Sequence, residues 1–286
     1  MPRVSIGVPV YNGASLIREC LECLAAQTYQ DFEVVISDNA STDGTSEICA
    51  EMAARDPRFR HLRHAATHDV MTNFLAARDA TAARLFMWRA FDDVAEPDYL
   101  ARLVGLHDAH PGLRLAVGTV QQEFGDAKAD KLIPYQASDT GPVAPRVMSQ
   151  LFRGEASWFY GLWSRAAIEE SFSAVRSVYL DPWGGDHLNI FHTAIRDGIR
   201  GDTQAIFRQR IIPSSRGYVE RHKPTYREIS GRNTRFHQAA LSLLSDAKTD
   251  PLTSGLIRAA MPFYVNKRCH RLLRVFQARV RQFRGR

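Results

Sequence analysis

The sequence predicts an α/β fold: a mostly parallel sheet with flanking helices, followed by a helical C-terminal region. Three observations lead there. Over the first hundred or so residues, apolar β-type runs alternate with amphipathic helical patterns, the order expected of parallel strands joined by crossover helices. At 286 residues and 45% hydrophobic composition, the chain can fill one large core or one core with an appended region. The last quarter reads as helix, with no internal repeat and no heptad array.

Element by element, VSIGVPV (Val4–Val10) has the composition of a buried strand. The next segment, from Ala14 to Gln27, sets Leu16, Ile17, Cys20, Leu21 and Leu24 at helical spacing, and FEVVISD (Phe32–Asp38) predicts a second strand. A helix over Gly44 to Asp56, a short strand Phe59–Arg63, a helix over Asp69 to Ala80 and a strand over Leu85 to Ala90 continue the alternation. A helix from Asp98 to about His110, a strand over Leu113 to Gly118 and a loop over Gly125 to Pro145 are expected next. Ser157 to Ser171 places aromatics ahead of a helix, and Tyr179 to Gly198 opens another helix at Asp186, behind Gly184 and Gly185.

Composition narrows the class. No run approaches the ~18 apolar residues of a membrane span, and the N-terminus enters a strand pattern directly, so a cytoplasmic protein is expected. Cys20, Cys23, Cys49 and Cys269 suit neither a disulfide framework nor a zinc site and are read as reduced packing residues. The formal charge of +6 conceals an asymmetry: from Pro251 onward there are nine Lys or Arg and no acid, which leaves 28 basic against 31 acidic residues before it. The body is therefore no polyanion binder by charge, and nucleic acid is not expected as a partner. In the tail, Leu272, Phe276, Val280 and Phe283 recur at helical spacing with Arg271, Arg274, Arg281 and Arg284 flanking them. That pattern fits a helix lying on an anionic membrane surface, or one packed on the body or a partner subunit, an oligomer being one such case.

The loops carry the chemistry. Ligands of open parallel sheets collect at the carboxyl ends of the strands. There the chain places Pro9-Val10-Tyr11-Asn12-Gly13 after the first strand, Asp38-Asn39-Ala40-Ser41-Thr42-Asp43-Gly44-Thr45 after the second, and Asp92-Asp93 after the fourth. Singly, each has a structural explanation in turn chemistry or helix capping. Together they combine an aromatic, hydrogen-bonding groups, open helix N-termini and two adjacent carboxylates that repel unless a cation joins them, which describes a nucleoside diphosphate site with a metal.

The run VSIGVPVYNGASLIRECLECLAAQTYQDFEVVISDNASTDGT, followed by an acidic pair after a strand, resembles the opening of the inverting glycosyltransferases with the GT-A (Rossmann-like) fold, the family 2-like enzymes of bacterial polysaccharide, lipopolysaccharide and glycolipid synthesis. The likeness covers the first 100 residues well and continues more loosely, through FYGLWSRAAI and GGDHL, to about residue 212. It implies a transferase domain over 1–212, with a nucleotide-sugar part to about 118 and an acceptor part from about 119, then a helical region over 213–286. It further implies that Tyr11 and Asp38 read the base, that Pro9 and Asn12 shape the pocket, and that Asn73 contacts the nucleotide sugar. Asp92 would contact the ribose or a metal-bound water, Asp93 would ligate Mn²⁺ or Mg²⁺, and Asp186 would be the catalytic base. The donor expected is a UDP-sugar, with GDP- and dTDP-sugars as alternatives, and the acceptor a glycan or lipid-linked glycan, with the enzyme peripheral on the cytoplasmic face of the membrane.

Two departures matter. Ala90 and Phe91 precede the acidic pair where the family often has a further aspartate, and Gly185 stands where many relatives have a carboxylate before the base. No Gln-x-x-Arg-Trp segment of processive synthases is present, which favours single addition. The departures keep open a non-catalytic nucleotide-sugar binding protein. A sugar-1-phosphate nucleotidyltransferase is disfavoured because VPVYNGAS lacks a Gly-rich, Arg-containing loop. Trp158, Tyr160, Trp163 and Trp183 form either a sugar or lipid platform or a buried aromatic core.

Overall fold

The computed structural model describes residues 1–125, 129–181, 183–211, 225–269 and 279. Its contacts divide the chain into two compact units. The first holds Met1–Tyr135, Tyr160–Ile168 and the segment from Arg200; the second holds Gln136–Phe159, Glu169–Ile199 and the described residues from Thr225. The expected boundaries near 118 and 212 cut the chain into contiguous pieces, whereas each unit is assembled from three separate stretches.

In the first unit, strands β1 (Val4–Val10), β2 (Phe32–Asp38), β3 (Phe59–Arg63) and β4 (Leu85–Trp88) alternate with helices α1 (Ile17–Ala25), α2 (Thr45–Arg55) and α3 (Val70–Asp79). β5 (Val94–Ala95), α4 (Tyr99–Ala109), β6 (Leu115–Glu123), β7 (Lys131–Ile133), β8 (Leu162–Ser164) and β9 (Ile199–Arg210) complete it. The nine described strands run in the order β3-β2-β1-β4-β8-β6-β9-β5, with β7 paired to β6. Val4↔Phe32 and Val4↔Leu85 set the parallel register of β1 with both neighbours, and β2 pairs β3 in parallel. The chain thus steps outward from β1 to β3 and returns to the far side of β1 as β4. That reversal makes the β1/β4 boundary a topological switch point, where crossovers leave in opposite directions and a crevice opens at the strands' carboxyl ends.

Why these residues form strands is plain from burial. Val4, Ile6 and Val8 are fully buried, as are Val34, Val35 and Ile36 of β2, so both faces of the sheet are covered and the runs are continuously apolar rather than alternating. α1 turns Ile17, Cys20, Leu21 and Leu24 inward. Asp69 caps α3 by accepting the Thr72 N–H at 3.1 Å. Cys20 and Cys49 are buried and all four cysteines are free; burial pushes the Cys49 thiol up to about 12.

The expected mostly parallel sheet with flanking helices is present, and it is mixed: β4–β8, β6–β8, β6–β7 and β5–β9 are antiparallel. Strand β9 had no expectation, because IRGDTQAIFRQR is polar and becomes a strand only by pairing. The loop expected over Gly125 to Pro145 contains β7 and the start of α5 (Val143–Arg153). Three residues are too few to show a period, and Pro145 sits in a first helical turn, whose N–H groups lack intrahelical partners anyway.

The second unit is helical. α5, α7 (Gly185–Ala194), α8 (Tyr226–Asp246) and α9 (Pro251–Arg268) pack on one another, and most of α6 (Arg165–Val178) belongs with them. Their core centres on Tyr264, whose ring lies 5.2 Å from Phe191 and 6.2 Å from Phe236. Thr225 and Glu228 form a reciprocal capping box at the start of α8. Trp158 and Trp163 are buried, which makes them core residues of their respective units, while Trp183 is half-buried. Of the tail, Leu272, Phe276, Val280 and Phe283 lie outside the described residues. Among the described residues no helix is long and apolar enough to cross a membrane.

Candidate functional site

Parallel pairing brings the ends of β1, β2 and β4 to one edge. After β1, Asn12 turns into the left-handed region (φ 50°) and Gly13 follows; a Cβ on Gly13 would lie 2.5 Å from the Phe91 ring, so only glycine lets this loop rest on the loop carrying the acidic pair. Asn12 is tied to the second loop in both directions: its N–H donates to Ser41 Oγ (3.0 Å), and its Oδ1 accepts from the Thr42 N–H (2.9 Å). Gly13 N–H donates to Thr45 Oγ1 (2.9 Å) and Ala14 N–H to Asp43 Oδ2 (3.1 Å), so the start of α1 is held by the cap of α2. Tyr11, between these anchors, is 48% exposed. Pro9 lies within β1, opposite Ser37 of β2.

Asp38 ends β2 fully buried. Its Oδ1 accepts the Ser41 N–H at 2.9 Å; its Oδ2 accepts the Ser46 hydroxyl and lies 3.4 Å from His61 Nε2 and 3.8 Å from Arg63 Nε. Burial opposes its charge, but the hydrogen bonds from Ser41, Ser46 and His61 outweigh it and hold the carboxyl below the usual range. Asp38 thus organises the loop, and it keeps Ala40 in the left-handed region (φ 59°), which costs an L-residue about 1–2 kcal/mol. Asn73 on α3 is also buried: its Nδ2 donates to the Val10 carbonyl at 3.4 Å, and its Oδ1 accepts the Ser37 hydroxyl at 2.7 Å. It joins the ends of β1 and β2.

The acidic pair follows β4. Asp92 is 5% and Asp93 3% exposed. Asp93 Oδ1 accepts the Arg210 N–H from the end of β9 at 2.8 Å, and among the described residues neither carboxylate makes an ion pair. Burial, together with the adjacent Asp92 charge, pushes Asp93 up to about 7, and burial raises Asp92 as well. Arg89 and Arg210 oppose the shift of Asp93 without cancelling it. Sequence reasoning missed both arginines. Arg89 is 1% exposed, its guanidinium 4.7 Å from the Phe207 ring centre and 5.3 Å from that of Tyr99, with Nη1 donating to the Val94 carbonyl at 3.3 Å. A lone arginine inside the apolar run MWRAF was the available signal for it; Arg210 had none, since β9 itself was not foreseen.

Two buried carboxylates that make no ion pair among the described residues are hard oxygen donors of the type Mg²⁺ or Mn²⁺ takes, and on this test the residues fit such an ion. No cluster of three or more His, Cys, Asp or Glu exists among the described residues, so the protein's own share of a ligand shell is small. Pro9, Tyr11, Asn12, Asp38, Asn73, Asp92 and Asp93 all belong to the first unit; Asp186 belongs to the second. Asp186 lies in the first turn of α7, behind Gly184 (φ 85°), and its Oδ1 accepts the His187 N–H at 2.8 Å.

EpsH of Bacillus subtilis is 30% identical over 176 residues, 59% of this chain and 48% of EpsH. The matched stretches span less than half the length of the curated relatives. Among solved structures, S. aureus TarS 1-349 in complex with UDP-GlcNAc superposes with a TM-score of 0.69 at 13% identity, covering 93% of this chain and 73% of that one. The mannosyltransferase PcManGT from Pyrobaculum calidifontis, in complex with GDP-Man and Mn²⁺, gives 0.56 at 17% identity over 97% of this chain and 74% of its own. The model of glycosyl transferase family 2 matches residues 5–148, half of the chain, and on that match, carried by a GT-A fold, the chain belongs to glycosyl transferase family 2.

Proposed function

We propose that the protein is a metal-dependent, inverting, non-processive glycosyltransferase that moves one sugar from a nucleotide donor, a UDP-sugar first among the candidates, to a hydroxyl of a glycan or lipid-linked acceptor in cell-surface polysaccharide synthesis. The observation that carries this reading is the buried pair Asp92-Asp93, without an ion pair among the described residues, after β4 at the switch point, with the exposed Tyr11 following the adjacent strand β1. Two neighbours of the same fold are named as complexes with UDP-GlcNAc and with GDP-Man and Mn²⁺, which supports the donor class and the metal.

On this reading Tyr11 stacks on the base, Asp38 hydrogen-bonds it, Asn73 contacts the nucleotide sugar, and Asn12 helps shape the pocket. Pro9 shapes the floor of that pocket. Asp93 and Asp92 would hold Mn²⁺ or Mg²⁺. The ion, when bound, neutralises the negative charge that develops on the leaving diphosphate. Asp186 takes the proton of the acceptor hydroxyl as it attacks the sugar from the opposite face. Peripheral attachment on the cytoplasmic side would come from the basic tail.

A thermal-shift panel of UDP, GDP, dTDP and their sugars, with and without Mn²⁺, tests the proposal, because a ligand of the folded state raises apparent stability. A Mn²⁺-dependent rise with one nucleotide sugar, followed by release of free nucleotide on turnover, is expected. A panel with no metal-dependent rise would overturn it.

A further inference from the structure

Outside the nucleotide site, the second unit carries a built, charged groove. One cavity of about 550 Å³ is lined by Asp181, Thr225, Arg227, Glu228, Gly231, Arg232 and Arg235. A second, of about 400 Å³, shares Asp181 and Arg235 with it and adds Tyr179, Leu180, Gln238 and Ser242. Three guanidinium groups from α8 therefore line one hollow.

Their geometry is organised rather than incidental. The Asp181 side chain is only 11% exposed; its Oδ2 lies 2.7 Å from Arg235 Nη2 and 3.8 Å from Arg232 Nε, while its Oδ1 accepts the Trp183 N–H at 3.1 Å. One carboxylate thus pins two guanidinium groups. Glu228, the other acid of the lining, is engaged by the N–H and hydroxyl of Thr225 in the capping box. Gly231 lets Arg235 fold back along α8: a Cβ there would lie 3.3 Å from Arg235 Nη1. Arg227 is exposed and makes no ion pair among the described residues. Set against Asp181 and Glu228, the three arginines leave one positive charge, and each guanidinium offers a planar fork suited to an oxyanion. The adjoining cavity supplies the amide of Gln238, the hydroxyl of Ser242 and the 83% exposed side chain of Leu180, groups suited to a polyhydroxylated ring.

We infer that this groove binds an oxyanion, phosphate or carboxylate, carried on a saccharide. If the transferase reading holds, on which this assignment rests, that saccharide is the acceptor. The groove is coupled to the proposed base by short chain: Tyr179 Oη donates to the Trp183 carbonyl at 2.7 Å and Asp181 holds the Trp183 N–H, so both ends of the Tyr179–Trp183 turn are fixed immediately before Gly184, Gly185 and Asp186. An anion seated on Arg227, Arg232 and Arg235 would thus position its hydroxyls from the segment that also carries Asp186.

The test uses the full chain in EDTA, which leaves the acidic pair without metal. Inorganic phosphate, glucose 6-phosphate, glucuronate and glucose are titrated while thermal stability is followed. Phosphate and at least one charged sugar should raise the melting temperature and glucose should not; the better of glucose 6-phosphate and glucuronate identifies the anion. Arg235→Ala should weaken phosphate about tenfold, the scale of one lost charge-assisted hydrogen bond. Arg227→Ala removes an exposed side chain outside the Asp181 cluster and should weaken it comparably, which keeps the test open if the Arg235 variant does not fold. Asp93→Asn should keep phosphate binding. Unchanged phosphate affinity in Arg227→Ala, equal protection by glucose, or loss confined to Asp93→Asn would each overturn the inference. Mn²⁺-dependent nucleotide-sugar binding, measured in the same arginine variants, reports separately on the transferase reading and should be unaffected.

Discussion

Asp93→Asn should make the metal-free protein more stable at alkaline pH while abolishing its metal-dependent nucleotide binding. The argument starts from burial: Asp93 is 3% exposed, and its carboxyl is displaced from 3.8 to about 7 by loss of solvent and by Asp92. An acid whose pKa rises on folding keeps its proton in the folded chain when the unfolded chain has lost it. Between those two values the folded state therefore binds more protons, and stability falls as pH rises. By pH 8 the accumulated cost is on the order of 4 kcal/mol, from about 1.4 kcal/mol per tenfold change in proton affinity. Asparagine keeps the shape and can still accept the Arg210 N–H through its Oδ1, but it carries no charge and relieves Asp92 as well. Denaturant unfolding in EDTA at pH 5 and pH 8 should show parent stability falling with pH and the variant's falling by about 2–3 kcal/mol less, since part of the cost is already present at pH 5. Mn²⁺ should restore the parent at pH 8 and leave the variant unchanged. If parent and variant show the same pH dependence without metal, the buried-charge account of the acidic pair is wrong.

Three further outcomes are expected. Asp186→Asn should leave donor affinity near that of the parent and lower turnover by about 10² or more, the scale of a lost general base, as measured by nucleotide release; parent-like turnover would remove Asp186 from the role, and Asp181, paired with Arg232 and Arg235, would be a poor substitute. Tyr11→Ala should weaken nucleotide binding by about 1–3 kcal/mol, the range for one stacked base, with little effect on melting temperature because the ring is 48% exposed; unchanged affinity by calorimetry would exclude stacking there. Deleting 270–286 should release the protein from anionic liposomes and leave nucleotide binding intact, and salt should release the full chain, since attraction to the surface decays within about 10 Å at 0.1 M salt. Equal liposome binding by the truncated chain would rule out the membrane role.

What the sequence determined by itself was the local half of the design. Val4–Val10 and Phe32–Asp38 are strands over the very residues their apolar runs mark, because a strand buried on both faces needs a continuous apolar run. Asp69 and Ala80 bound α3 as expected, since a cap is a contact within one turn of chain. The loops were legible for a related reason: in a parallel sheet every strand ends on the same edge, so Tyr11, Asp38 and Asp92-Asp93 had to gather wherever the strands paired. Tertiary structure alone decided the remainder. β9 lies between β6 and β5, and β5 exists through a pairing of Val94 with Arg208, more than a hundred residues apart, which no local period encodes. That pairing carries the Arg210 N–H to Asp93 and sets Phe207 against Arg89, and so determines how the acidic pair is screened. Asp38 and Asn73 show the same division: the resemblance implied ligand contacts for both, and the folded loops add that Asp38 accepts from Ser41 and Ser46 while Asn73 accepts from Ser37 and donates to Val10. A side chain's chemistry is written in the sequence, but its partners are set by which distant backbone arrives beside it.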